Sequence, residues 1–145
     1  MKSSKIRFIN IILAALSVPA LWMIAFAFHS PSARAAQTRD LHVVNNTAVA
    51  GQNVNVAIEL VSLGTENALG FSLNFNPAIF GNPVGALGTG GTGATLNVNP
   101  AQAASGRIGV TLALAAGQSF TAGVRQIVVV TFAVAANAAA GATFL

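Results

Sequence analysis

The chain has no cysteine and no tyrosine, a single tryptophan, and only three carboxylates in 145 residues. Each scarcity excludes something. Without cysteine there is no disulfide framework, so a domain of this chain must hold by its core alone. The one tryptophan, Trp22, falls in an N-terminal segment unlike the rest. The flat aromatic strip with which many modules grip crystalline polysaccharide therefore has no obvious source, since Phe71, Phe75 and Phe132 fall on the apolar phase of their strands. Glycoside hydrolysis needs two carboxylates facing each other. Here Asp40 lies near the start of the domain, Glu59 in mid-strand and Glu66 in a turn. No constellation of proton-moving groups is legible, and the chain is expected not to be an enzyme. Asp40 and His42 are two apart and could share one strand face, but two ligands do not make a metal centre. No cofactor and no metal is expected.

Charge is scarce too, and its sign is misleading. The net charge of +4 comes from Lys2, Lys5, Arg7 and Arg34. Beyond them Arg39, Arg107 and Arg125 balance Asp40, Glu59 and Glu66. A nucleic-acid binder needs a basic patch on its folded domain, and none is available. Solubility of this part rests on Asn, Gln, Ser and Thr.

The N-terminal segment, residues 1–35, has the layout of an export leader. Lys2, Lys5 and Arg7 precede an almost wholly apolar run from Phe8 to Phe28. Ser30-Pro31-Ser32 then breaks the run, and Ala33-Arg34-Ala35 supplies a small-x-small cleavage pattern. Cleavage after Ala35 is expected. The rival reading is an uncleaved membrane anchor, since about 21 apolar residues reach the ~20 that span a bilayer. Either way residues 36–145 are expected outside the cytoplasm, secreted or at the cell surface, with contact to a membrane only through the leader. About 110 residues suffice for a single domain with a real core.

Within that domain, period-2 alternation dominates. Val54, Val56, Ile58 and Leu60 alternate with Asn53, Asn55, Ala57 and Glu59. After the break Gly64-Thr65-Glu66-Asn67, Phe71, Leu73 and Phe75 alternate with Ser72, Asn74 and Asn76, up to Pro77. Further strands are expected over Leu41–Val44, briefly from Ile79-Phe80 until Gly81-Asn82-Pro83 breaks it, over Thr95–Asn99, over Arg107–Leu114, around Phe120 within Gly117–Gly123, over Gln126–Ala135 and from Thr143. Gly85–Gly93 (GALGTGGTG) reads as a mobile loop. Half-buried strands need a second sheet packed on top, so the fold is expected to be an all-β sandwich. Phe71, Leu73, Phe75, Val110, Leu112, Val130 and Phe132 should meet in its core. The end at Thr143-Phe144-Leu145, in mid-strand, suggests a truncated last strand; that strand is expected to pair beside Leu41–Val44.

Several local patterns resemble the cohesin family. Gly70-Phe71-Ser72-Leu73-Asn74-Phe75-Asn76-Pro77 is similar to that family's Gly-Phe-x-Phe/Leu-x-Leu-x-Phe/Tyr-Asp/Asn-Pro segment, though shorter. Gly106-Arg107-Ile108-Gly109-Val110, Val130-Thr131-Phe132-Ala133-Val134 and Gly141-Ala142-Thr143 resemble later segments, in the family's order. The resemblance implies a nine-stranded jelly-roll sandwich. It also implies that the strands from Leu69, Thr95, Arg107 and Gln126 share a sheet that docks a dockerin, a small calcium-binding module carried by polysaccharide-degrading enzymes. The chain has no dockerin-like calcium loop and would be the receiver. By strand parity Ser72, Asn74, Asn97, Arg107, Thr111 and Thr131 project from the wet side of that sheet. The expected function is a non-catalytic protein-interaction module. A carbohydrate-binding module that takes polysaccharide directly, and a structural domain of a larger surface protein, are the alternatives.

Overall fold

The structure, a computed structural model, describes residues 38–141. The expected leader cleavage site and the expected strand at Thr143–Leu145 lie outside the described residues. Seven strands run in order: β1 (Asp40–Val43), β2 (Asn53–Ser62), β3 (Ala68–Asn74), β4 (Phe80–Leu87), β5 (Thr95–Asn99), β6 (Arg107–Ala113) and β7 (Gly123–Val134). They form two antiparallel sheets, one ordered β1-β2-β7-β4 and the other β3-β6-β5.

The alternation read from the sequence produces this directly. Along β2 every second residue, from Val54 to Ser62, is buried, and the β7 partners of Val54, Val56 and Ile58, namely Phe132, Val130 and Val128, are buried in the same phase, up to the register shift after Ile58. Leu73, Phe75, Ile108, Val110 and Leu112 supply the inner face of the second sheet. Between the sheets Phe132 is fully buried, its ring centroid 4.9 Å from Phe75 and 5.4 Å from Phe80. Six of the seven expected core residues are buried, and Phe71 is half-buried against the same cluster.

Four expectations are corrected. First, the described residues hold seven strands rather than nine. The expected edge strand around Phe120 does not form, and Gly123 already opens β7: Gly117 is left-handed, and Phe120 drops into the core at 2% exposure. Its N–H bonds the Glu66 carbonyl at 2.8 Å instead of a ladder partner. Second, β7 is not in the sheet of β3, β5 and β6 but lies between β2 and β4. Parity fixes which face a side chain takes; it does not name the sheet. Third, β4 is a full strand that absorbs Asn82-Pro83 as an irregularity, its register on β7 shifting between Gly81 and Val84. Fourth, the glycine-threonine segment is packed. Gly85–Leu87 belongs to β4, and Thr89–Gly91 form a 3-10 turn lying on β7. A Cβ on Gly88 would stand 2.3 Å from the Gln126 carbonyl oxygen, and one on Gly91 2.4 Å from that of Ile127. These glycines permit backbone-to-backbone approach.

Candidate protein-docking face

The outer face of β3-β6-β5 is built from small and polar residues in rows across the strands. Gly70, Thr111 and Asn97 are register partners in one row; Ser72, Gly109 and Asn99 form the next; Asn74 stands opposite Arg107. Ser72, Asn74, Asn97, Arg107 and Thr111 are all exposed, and all on this one face. Here the sequence reading and the fold agree. Thr131 is the exception. It sits half-buried on β7 in the other sheet, where its Oγ1 donates to Asn55 Oδ1 at 2.7 Å. It is therefore no part of this surface.

Its middle strand carries Gly109, which places no side chain at the centre of the face. Around that glycine Ser72, Asn99, Ala101, Gln102 and Arg107 enclose an open depression of about 320 Å³. Arg107, the one charged residue in the rows, donates from Nη2 to Ser72 Oγ at 2.9 Å, which lays its guanidinium across the strands. Asn99 Oδ1 accepts the Ala101 N–H at 3.0 Å and so holds the rim turn. Gly106, in the left-handed region at φ 78°, turns the chain into β6; a Cβ there would meet the Phe75 carbonyl at 2.2 Å. The face thus rests on a tightly fixed base.

The start of β3 and the end of β6 are tied together by side chains that the sequence reading placed only in a polar break. Asn67 Nδ2 donates to the Gln118 carbonyl at 2.7 Å and lies 3.0 Å from that of Ala115, while the Leu114 N–H bonds the Asn67 carbonyl. Next to it Glu66, read as a turn residue, is buried. Ser62 Oγ donates to its Oε2 at 2.7 Å, the Leu63 N–H donates at 3.0 Å, and Arg39 Nε donates to Oε1. The Ser62 hydroxyl does most to lower the Glu66 pKa. Burial opposes it, Arg39 and the backbone N–H groups of Glu66 and Leu63 assist, and the result is about 2 against an ordinary 4.5. The pattern Ser-x-x-x-Glu before a strand held no signal that could have revealed this.

On the other sheet His42 Nε2 lies 3.3 Å from Glu59 Oε2, and its Nδ1 is 3.7 Å from Asp40. Among the described residues no group of three or more His, Cys, Asp or Glu is arranged to hold a metal ion. None of the five phenylalanines among them is exposed. Also among the described residues, no helix is long and apolar enough to cross a membrane.

Two facing antiparallel sheets with this strand order define the fold as a cohesin-like β-sandwich, and solved structures agree. The chain matches the seventh ScaB type I cohesin from Pseudobacteroides cellulosolvens with a TM-score of 0.54 at 18% identity, covering 74% of each chain. It matches the structure of the sixth cohesin from Acetivibrio cellulolyticus scaffoldin B, solved with a Cel5 dockerin, with a TM-score of 0.52 at 18% identity; the match covers 73% of this chain and 77% of that one. A chain of the CaDoc0917–CaCohA2 complex gives a TM-score of 0.55, again at 18% identity, over 72% of this chain and 77% of that one. No protein-family model and no curated protein matches the sequence.

Proposed function

We propose that the chain is an extracellular protein-interaction module that receives a dockerin-type partner on the outer face of β3-β6-β5. One observation carries the reading: five residues chosen by strand parity, Ser72, Asn74, Asn97, Arg107 and Thr111, stand exposed together on one face of a cohesin-like fold. A polar, small-residue face suits a protein partner, and Arg107 is the natural anchor, since arginine is enriched where a few residues carry most interface energy. Residues 1–35 serve as the export leader and residues 36–145 as the working domain, active without catalysis. In this reading the partner is the module that polysaccharide-degrading enzymes carry; a matched cohesin of scaffoldin B was solved with a dockerin, which supports a partner of that kind.

The test is titration calorimetry with a panel of calcium-loaded dockerin modules. At least one should bind. Thr111→Arg, a bulky charge placed centrally on the face, should weaken that binding tenfold or more, and Arg107→Ala should weaken it measurably, as expected for residues near an interface centre. Failure of every dockerin to bind, or a Thr111→Arg chain that binds as tightly as the original, sinks the reading.

A further inference from the structure

We propose that the depression beside Arg107 is an acid-selecting subsite: it receives a side-chain carboxylate of the protein partner, so the face favours partners that present Asp or Glu at that point. The inference deepens the docking reading and rests on it.

The first observation is which hydrogen-bonding groups the depression offers. Arg107 Nη2 donates to Ser72 Oγ at 2.9 Å. A guanidinium has no acceptor, so Ser72 accepts that bond and keeps its own O–H proton for a ligand. The same bond uses one of the five guanidinium N–H groups. Across Gly109, Asn99 Oδ1 accepts the Ala101 N–H at 3.0 Å. That bond fixes which end of the amide is oxygen, and Nδ2 is the end left to donate. Gln102, exposed on the rim, can turn its amide either way. The acceptors of Ser72 and Asn99 are thus occupied from within, and what they and Arg107 offer is O–H and N–H.

The second observation is charge. β3 (ALGFSLN), β5 (TLNVN) and β6 (RIGVTLA) hold one ionisable side chain among them, Arg107. The other arginines are engaged elsewhere: Arg39 pairs with Glu66, and Arg125 donates to the Thr121 and Ala122 carbonyls. Asp40 and Glu59 gather around His42 on the other sheet. Arg107 is therefore a single positive charge on otherwise neutral strands. A partner that covers it strips away its water, and a cation desolvated without a counter-charge is costly. A carboxylate supplies that charge, and its two oxygens match the guanidinium fork. A lysine or an apolar side chain at that point is penalised, so one residue both attracts the right partner and rejects the wrong one.

The third observation is room. Gly109 puts no side chain between its register partners Ser72 and Asn99, and the depression opens there. A carboxylate lowered into it comes among side chains of three strands at once, Ser72 on β3, Arg107 on β6 and Asn99 on β5. A sugar acid shares the charge chemistry. Its ring, however, gains most from an aromatic platform, and none of the five phenylalanines among the described residues is exposed. A protein side chain is the better match.

The experiment is a magnetic-resonance titration of the isotope-labelled chain, expressed with its own leader and purified in the form the cell yields. The probes are acetyl-glutamate-amide, its neutral match acetyl-glutamine-amide, and glucuronate, all at one ionic strength. The glutamate probe should shift the Arg107 Nε–H and Asn99 Nδ2 signals saturably, and the glutamine probe should bind about tenfold more weakly or worse. Arg107→Gln, an exposed change, should abolish the response. Gly109→Ala, whose Cβ meets only Asn99 Cβ at 3.7 Å, should keep the fold and weaken the response by filling the floor. With any dockerin that binds, Arg107→Glu should weaken binding about tenfold beyond Arg107→Gln. Replacing one Asp or Glu of that dockerin by Lys should then restore binding to the Arg107→Glu chain. Equal responses to the glutamate and glutamine probes overturn the proposal, as does a response that survives Arg107→Gln. Glucuronate binding far more tightly than the glutamate probe overturns it in favour of a sugar acid. A dockerin that binds the Arg107→Gln and Arg107→Glu chains alike overturns it and leaves the docking reading standing. If no dockerin binds, the docking reading falls, and the probe titration still decides whether the depression selects a carboxylate.

Discussion

The glycine segment after β4 offers the sharpest test of the packing. Consider Gly91→Ala. The new methyl would stand 2.4 Å from the Ile127 carbonyl oxygen, about 1 Å short of ordinary contact, and the obstacle is the backbone of a central strand rather than a movable side chain. Either the 3-10 turn lifts off β7 or β7 bends. Overpacking of this kind costs about 1–3 kcal/mol. Lifting the turn also stretches the bond from the Gly88 N–H to the Ile127 carbonyl, 2.9 Å in the fold and worth about 1 kcal/mol net. Against this, alanine restricts the unfolded chain and returns about 0.4–1 kcal/mol. The steric cost wins, for a net loss of about 1–3 kcal/mol, or roughly 5–20 °C in melting temperature for a domain of this size. Gly81→Ala is the control: it too replaces a β4-segment glycine, but nothing lies within 4 Å of the added Cβ, so stability should hold or rise slightly. Thermal melts followed by circular dichroism decide between them. Equal, small shifts for both variants would show that the segment does not pack on β7.

Three further outcomes follow from the same geometry. Phe132→Ala empties the centre of the core and breaks both ring contacts, so urea melts should show a loss of about 3–5 kcal/mol; a loss below about 1 kcal/mol would mean the parity of β7 was misread. Glu66 titrates at about 2 in the fold against 4.5 when unfolded, so the folded state prefers it ionised. Its stabilisation is complete above pH 4.5 and lost as pH falls through about 2. Melting temperature should decline over that window in the native chain, and less steeply in Glu66→Gln. On export the leader should be removed after Ala35; N-terminal sequencing that begins at Met1 would favour the anchor.

How much of this could be read without coordinates depends on what kind of information a position carries. Val54 to Leu60 and Leu73 to Phe75 announce strands and their buried side because alternation is local and hydrophobic burial is strong. The bounds of β1, β2, β3, β5 and β6 are legible to within a few residues for the same reason, whereas β4 runs past the expected break to Leu87. Sheet membership is not legible. Thr131 has the right parity and the right chemistry for the docking face, yet β7 takes its hydrogen bonds from β2 and β4, with Asn55 as the partner of Thr131. That choice is made by pairings across the chain, which no local pattern records. Gly88 and Gly91 failed for a second reason: glycine is equally at home in a loose loop and in a place where only a hydrogen atom fits, and composition does not separate the two.

Glu66 shows the third kind of failure, and it bears on function. A carboxylate flanked by Thr65 and Asn67 in a turn reads as solvated, because isolated ionised groups are rarely buried. It is buried here because Ser62, Leu63 and Arg39 converge on it from three directions. Only the folded turn supplies that convergence. Its consequence reaches the face through Asn67: the residue after Glu66 fixes the Gln118 carbonyl and, through its own carbonyl, the Leu114 N–H just beyond β6. The polar network that looked like solvent-facing loop therefore sets the register in which Gly70 meets Thr111 and Ser72 meets Gly109. A one-residue slip there would turn every side chain of the face inward. The layout of the candidate face thus rests on a buried charge at its end as much as on the small residues within it.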